Sequence, residues 1–193
     1  MITSPLFLKF IRSAPDVKEE EVTMILDHFT ILQVKAKDHT VREGEICKHI
    51  GFVNKGCFSY YTLSESGRKS IIHFAFEDWW TGDLQSFLKR QPATTYWQAL
   101  EEAELITINR SDFEHLCKIS QAFKYLFDLK TQTAYIKILN KSAKDKSETA
   151  EEKYLRMLEE YPQIIQRVPH YDVASYLGIA PESLSRIRNK ISK

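Results

Sequence analysis

Residues 168–192 read VPHYDVASYLGIAPESLSRIRNKIS, and this stretch decides the fold. It parses as a short helix over His170 to Leu177, a turn at Gly178, and a second helix from Pro181 to about Ile191. Glycine accepts the left-handed geometry found just past a helix end. Proline suits the first position of the next helix, where no amide donor is lost. Ala174 stands four residues before Gly178, and Leu184 and Ile187 stand six and nine after it. A helix-turn-helix needs a small residue where its helices touch, a glycine in the turn, and apolar positions on the second helix facing the first. Val173 and Leu177 supply the first helix's inner face. The spacing therefore predicts a helix-turn-helix of the DNA-reading kind.

The other face of the second helix is polar: Glu182, Ser183, Ser185, Arg186, Asn189 and Lys190. Arginine pairs bidentately with guanine, and a carboxylate accepts from cytosine. Arg188, Lys190 and Lys193 are positioned as phosphate contacts. Most charged helix faces are simply solvated, and the helix-turn-helix spacing is what sets this one apart. The candidate DNA-binding set is Glu182, Ser183, Ser185, Arg186, Arg188, Asn189 and Lys190.

Working upstream, Thr149 to Glu152 forms a capping-box pattern that opens a helix to about Tyr161, ended by Pro162. Lys141 to Ser147 is polar and reads as a helix end and hinge. Before it, a Ser111-x-x-Glu114 capping box opens a helical stretch to about Lys146 with no Gly or Pro. Leu126, Leu129, Thr133, Ile136 and Asn140 recur on it at heptad-like steps. Such a face either packs on its own domain or pairs with a second copy, and the candidate dimer interface is Leu126, Leu129, Thr133 and Ile136.

Residues 31–108 have a different character. Short apolar runs (ILQVKA, CFSYYTL, SIIHFAF) alternate with turn signals at Gly44, Gly56, Gly67 and Gly82. That punctuation predicts an all-β barrel or roll, with a short helix at 84–90. Helices are expected over 6–11 and 16–29, the latter from Val17, Val22, Ile25, Leu26 and Phe29 on one face.

The 193 residues are 43% apolar with only six Gly and six Pro, which excludes disorder and low complexity. The net charge of +1 excludes a globally basic nucleic-acid coat, but it is an average. Residues 1–110 carry −2, 111–163 carry 0, and 164–193 carry +3. Cys47, Cys57 and Cys117 fit no zinc spacing and read as reduced thiols of a cytoplasmic protein. Lys9 and Arg12 interrupt the only early apolar run, so neither a signal peptide nor a membrane span is expected. His39, His49 and His73 are ten and twenty-four residues apart, unlike the metal site of a β-barrel enzyme, and no nucleophile triad or phosphate loop is visible. The expectation is a protein that is not an enzyme and has no metal site.

Taken together, these segments resemble the Crp/Fnr family of bacterial transcription regulators over nearly the whole chain. In its terminal segment, Pro181-Glu182-Ser183-Leu184-Ser185-Arg186 looks like that family's recognition-helix signature, which places Glu182 and Arg186 on base-contacting positions. The resemblance implies an α+β fold: an N-terminal double-stranded β-roll, jelly-roll-like, with flanking helices, then a long dimerisation helix and a C-terminal helix-turn-helix domain. It divides the chain into a cyclic-nucleotide-binding-like sensor (1–115), a dimerisation and linker helix (116–146) and a DNA-binding domain (147–193). A C-terminal wing, which many members carry, is not expected after Lys193. The partners implied are double-stranded DNA, a second copy of the chain and RNA polymerase, with no membrane.

Gly82-Asp83 resembles the start of the family's phosphate-binding cassette, and the effector pocket is expected at Gly82, Asp83, Thr94 and Thr95. The cassette's arginine falls at Ala93, however. A guanidinium pairs with a phosphodiester through two charge-assisted bonds, and alanine offers none. Asp83 is also one methylene shorter than the usual Glu. The roll is therefore not expected to bind cyclic AMP in the usual manner, and no cofactor is implied. Ala180 likewise replaces the usual Ser or Thr cap of the recognition helix, a loss of about 1 kcal/mol. The competing reading is a sensor or protein-interaction module without sequence-specific DNA binding.

Overall fold

Two four-stranded antiparallel sheets face each other in the computed structural model, which describes residues 2–191. The first has the order β1 (Thr30–Val34), β8 (Ala103–Asn109), β3 (His49–Lys55), β6 (Trp80–Thr81). The second has the order β2 (His39–Val41), β7 (Tyr96–Ala99), β4 (Phe58–Leu63), β5 (Lys69–Ala75). β1 pairs with β8 from Thr30 opposite Thr107 to Val34 opposite Ala103. β4 lies between β7 and β5, which leaves β5 at the sheet's edge. This is the roll that the turn spacing predicts.

The first sheet buries its outer face under helices. α1 (Pro5–Arg12) starts at Ser4, whose hydroxyl accepts from the Phe7 amide at 3.1 Å. Phe7 and Phe10 meet Phe52 of β3 at ring distances of 5.0 and 5.5 Å, and Phe29 joins them just past α2 (Glu19–Leu26). Aromatic rings in such offset and tilted contacts fill a core efficiently. α3 (Leu84–Lys89) is the expected short helix inside the β region, capped by Asp83.

Two details after the roll differ from the sequence pattern. The Ser111 capping box does not form. Asn109 caps α4 (Arg110–Ile119) instead, accepting from the Asp112 amide at 3.0 Å. The expected continuous helix to Lys146 is also broken, at Ser120. Ser120 is extended, and its hydroxyl accepts from the Phe123 amide and donates to Glu21 at 2.6 Å. It thereby caps a new helix, α5 (Gln121–Lys144), and ties it to α2.

The chain continues through α6 (Ala150–Glu160), whose Thr149–Glu152 capping box is formed as expected. A short turn, α7 (Ile164–Arg167), was not anticipated. α8 (His170–Leu177) and α9 (Pro181–Ile191) follow at the boundaries read from the sequence. These four helices form a head that packs against the outer face of the second sheet. Tyr154, Met157, Tyr161, Val173 and Tyr176 share a buried cluster with Cys57, Tyr61, Ile71, Phe74 and Phe76. Burial pushes the Cys47 thiol up to about 11 and Cys57 up to about 12, so both remain protonated.

Candidate nucleic-acid interface and effector pocket

The helix-turn-helix is closed by local chemistry. Gly178 adopts φ +70, its amide bonds to the Ser175 carbonyl, and the Ile179 amide bonds to the Ala174 carbonyl. That is the two-bond Schellman ending, which requires a left-handed residue. Leu184 is fully buried, packed in one cluster with Val173, Ala174 and Leu177, and Ile187 lies partly buried beside it. The interhelical contacts expected from spacing are therefore present. Ala180 offers no side-chain cap, and only its carbonyl serves α9, accepting from the Ser183 and Leu184 amides.

On the outer face Glu182, Ser185, Arg186, Asn189 and Lys190 are exposed, with Ser183 and Arg188 half-buried. Several of these have internal partners. His170 Nε2 lies 3.1 Å from the Pro181 carbonyl and 3.3 Å from Ser185 Oγ. Its Nδ1 lies 3.2 Å from an Arg188 guanidinium nitrogen. Lys190 pairs with Glu151 of α6 at 2.6 Å. Among the described residues no hydrogen bond or ion pair holds the Arg186 side chain. Lys193, a phosphate contact in the sequence reading, lies outside the described residues. Neither His170 nor Glu151 was singled out by sequence, because both look like ordinary surface residues.

The effector residues do not converge on one cavity. Asp83 is buried and spent on its own fold: one oxygen accepts from the Ser86 amide at 2.9 Å, the other from the Thr95 hydroxyl at 2.7 Å. Thr94 is exposed on the surface. Ala93 is buried, its amide and carbonyl bonded to Glu45 and Gly44. Lys89 and Arg90 are exposed. Gly82 has φ +122, and a Cβ there would meet Ile50 at 3.0 Å, so no other residue fits this turn without strain.

Inside the roll Tyr60 stacks on Trp97 with ring centroids 4.7 Å apart, and burial raises the Tyr60 phenol above its ordinary value. The sequence offered one signal for this, two aromatics on strands that turn out to be neighbours. A recess of about 280 Å³ opens between the sheets, touching Gly82 but not Asp83, Thr94 or Thr95. Its walls include His39, Thr40, His49, Thr81 and Thr107, with no lysine or arginine. The Thr40 hydroxyl is buried without a partner among the described residues.

The expected dimer face divides in two. Leu126 is 2% exposed and belongs to the chain's own core with Ala122 and Phe123. It is therefore unavailable to a second copy, which corrects that part of the seam. Leu129 is 45% and Ile136 55% exposed, and Thr133 is exposed with its hydroxyl bonded to the Leu129 carbonyl. Tyr125, Tyr135, Ile138 and Leu139 add exposed apolar surface to the same helix. Among the described residues no helix is long and apolar enough to cross a membrane, and no group of three or more His, Cys, Asp or Glu is placed to hold a metal ion.

Residues 31–120 match the sequence model of the cyclic nucleotide-binding domain. No curated protein matches the sequence significantly. Among solved structures, the chain is similar to the c-di-GMP-responsive global regulator CLP of Xanthomonas campestris, at 14% identity and TM-score 0.72, covering 91% of this chain and 92% of that one. It is similar to FixK2 of Bradyrhizobium japonicum at 18% identity and TM-score 0.72, covering 85% and 84%. A transcriptional regulator of the Crp/Fnr family from Eubacterium rectale gives 17% identity and TM-score 0.68, covering 92% and 84%. At these identities the likeness is one of fold. Residues 31–120 are therefore similar to the cyclic nucleotide-binding domain, and the chain as a whole has the fold seen in these Crp/Fnr-type structures.

Proposed function

We propose that this protein is a dimeric, sequence-specific DNA-binding transcription regulator of the cytoplasm, with RNA polymerase as a further partner. The observation that carries this reading is the exposed face of α9, where Glu182, Arg186 and Asn189 stand clear of the protein on a well-formed helix-turn-helix. Arg186 and Glu182 are the base readers; Arg188 and Lys190 meet phosphates once released from His170 and Glu151. Dimerisation follows from α5. Residues 131–140 are exposed on every side yet carry Tyr135, Ile136, Ile138 and Leu139. A helix with that much exposed apolar surface needs a partner.

The sensor does not take cyclic AMP in the usual manner. Ala93 supplies no charge, the Asp83–Thr95 pair is already satisfied, and Tyr60 and Trp97 stack on one another inside the roll. Selection of duplexes from a random-sequence pool by the full chain, followed by gel shift over a salt series, tests the reading. Binding should prefer a palindrome and weaken steeply with salt, as counterion release requires. Failure to enrich any sequence would reject it in favour of a protein-interaction module.

A further inference from the structure

We infer that Lys69, Asp172, Ser175 and Arg167 are positioning residues for DNA recognition: they lock the head to the sensor in one pose and so fix the half-site spacing the dimer reads. The inference rests on the DNA-binding reading above and adds to it the determinant of operator geometry.

The lock has three parts. Lys69 of β5 bonds Asp172 of α8 at 3.1 Å, with side chains only 16% and 6% exposed. Its ammonium also sits 4.4 Å over the Tyr61 ring, which holds it in place. Ser175 Oγ accepts from the Ile71 amide and donates to the Lys69 carbonyl, each at 3.1 Å. β5 is the outermost strand of its sheet, so α8 here occupies the place of a further strand. Arg167 grips both oxygens of Glu77 at 2.8 and 2.9 Å and reaches Glu101 at 2.5 Å. Glu77 is held in turn by the Gly56 amide at 2.9 Å. Gly56 has φ +108, and a Cβ on it would lie 2.4 Å from Ala103, so this anchoring turn accepts no larger residue without strain.

These contacts are directional. A hydrogen bond weakens steeply off its axis, so three sets of them define an angle as well as a contact. None involves a residue of α9, and the reading face stays open in the locked pose. The lock therefore orients the recognition helix and does not cover it. Orientation passes from α8 to α9 through buried Leu184 and through the bonds from His170 to Pro181 and Ser185. In a dimer, two heads fixed in this way present their recognition helices at one separation. A rigid pair has a high effective concentration at the spacing it fits and almost none elsewhere, while a loose pair averages over several.

The test uses the full chain and the duplex that the wild type selects from a random pool. Affinity is measured on that duplex, on the same half-sites with two base pairs inserted, and on a single half-site. The wild type should lose at least about 100-fold on insertion, the scale that bivalent engagement adds. The Lys69→Met, Asp172→Asn double variant should lose less than about 5-fold on insertion while binding the single half-site like the wild type. Ser175→Ala, which removes two bonds and leaves no buried charge, should shift the insertion penalty in the same direction and guards against misfolding of the double variant. A wild-type insertion penalty in variants that bind the half-site normally would overturn the inference and leave the DNA reading standing. If the wild type selects no duplex, both fall together.

Discussion

The Thr95 hydroxyl donates to the Asp83 carboxylate at 2.7 Å, and both residues are buried. This turn spends its carboxylate on capping α3 and on fastening the start of β7. Thr95→Val leaves one Asp83 oxygen buried and unpaired. It should lower stability by about 1–3 kcal/mol, measured by urea unfolding. No change in cyclic AMP response should accompany it.

Restoring the missing guanidinium should not restore the ligand. Ala93→Arg replaces a buried methyl beside backbone bonds to Gly44 and Glu45, and the Tyr60–Trp97 stack remains. Calorimetry of the wild type and of this variant should show no cyclic AMP binding at about micromolar strength. Such binding by the wild type would overturn the account of the pocket.

Arg186→Ala and Glu151→Gln should have opposite signatures. The first removes the side chain proposed to read a base, and should relax discrimination at one base pair by about 1–3 kcal/mol. The second frees Lys190 from its 2.6 Å partner. Glu151→Gln should strengthen binding to all sequences alike and steepen the salt dependence by about one phosphate contact. Gel shifts on matched and mismatched duplexes separate the two.

Leu129 and Ile136 should behave differently from Leu126. Aspartate at both exposed positions should give a folded monomer by light scattering, whereas Leu126→Asp places a charge in the core and should unfold the protein. A folded dimer carrying both exposed aspartates would move the interface elsewhere.

Acid should weaken the fold through His73. Burial, and then the nearby Lys137 and Lys141, push its pKa from 6.5 down to about 4. Between those values the unfolded chain takes up a proton that the folded chain refuses. His73 thus contributes full stability above pH 6.5, and that contribution is lost as pH falls toward 4. His73→Phe should flatten this part of a thermal-unfolding pH profile.

The helix-turn-helix was legible because its determinants are local. Gly178, Pro181 and the spacing to Leu184 lie within a few residues of one another, and turn chemistry there leaves little choice. The break at Ser120 was not legible, since part of its cause is Glu21, ninety-nine residues away. Thr94 and Thr95 look alike in sequence, yet adjacent residues leading into a strand face opposite ways, and only Thr95 turns inward. Asn109 and Ser111 are both acceptable caps, and Asn109 reaches the Asp112 amide while Ser111 lies within the first turn. The pairing of Lys69 with Asp172 joins two charges of the most ordinary kind, 103 residues apart.

The contact of Ser175 with β5 also bears on solubility. An outermost strand displays amide and carbonyl groups that invite another chain to pair with it, the usual seed of aggregation. Here the head supplies the bonds for the Ile71 amide and the Lys69 carbonyl. Ile71, Phe74 and Phe76 are covered by the same helices. A roll cut away after residue 146 would bare that strand together with its apolar flank, and would tend to join its neighbours edge to edge. The C-terminal head is thus also the roll's protection against edge-to-edge pairing.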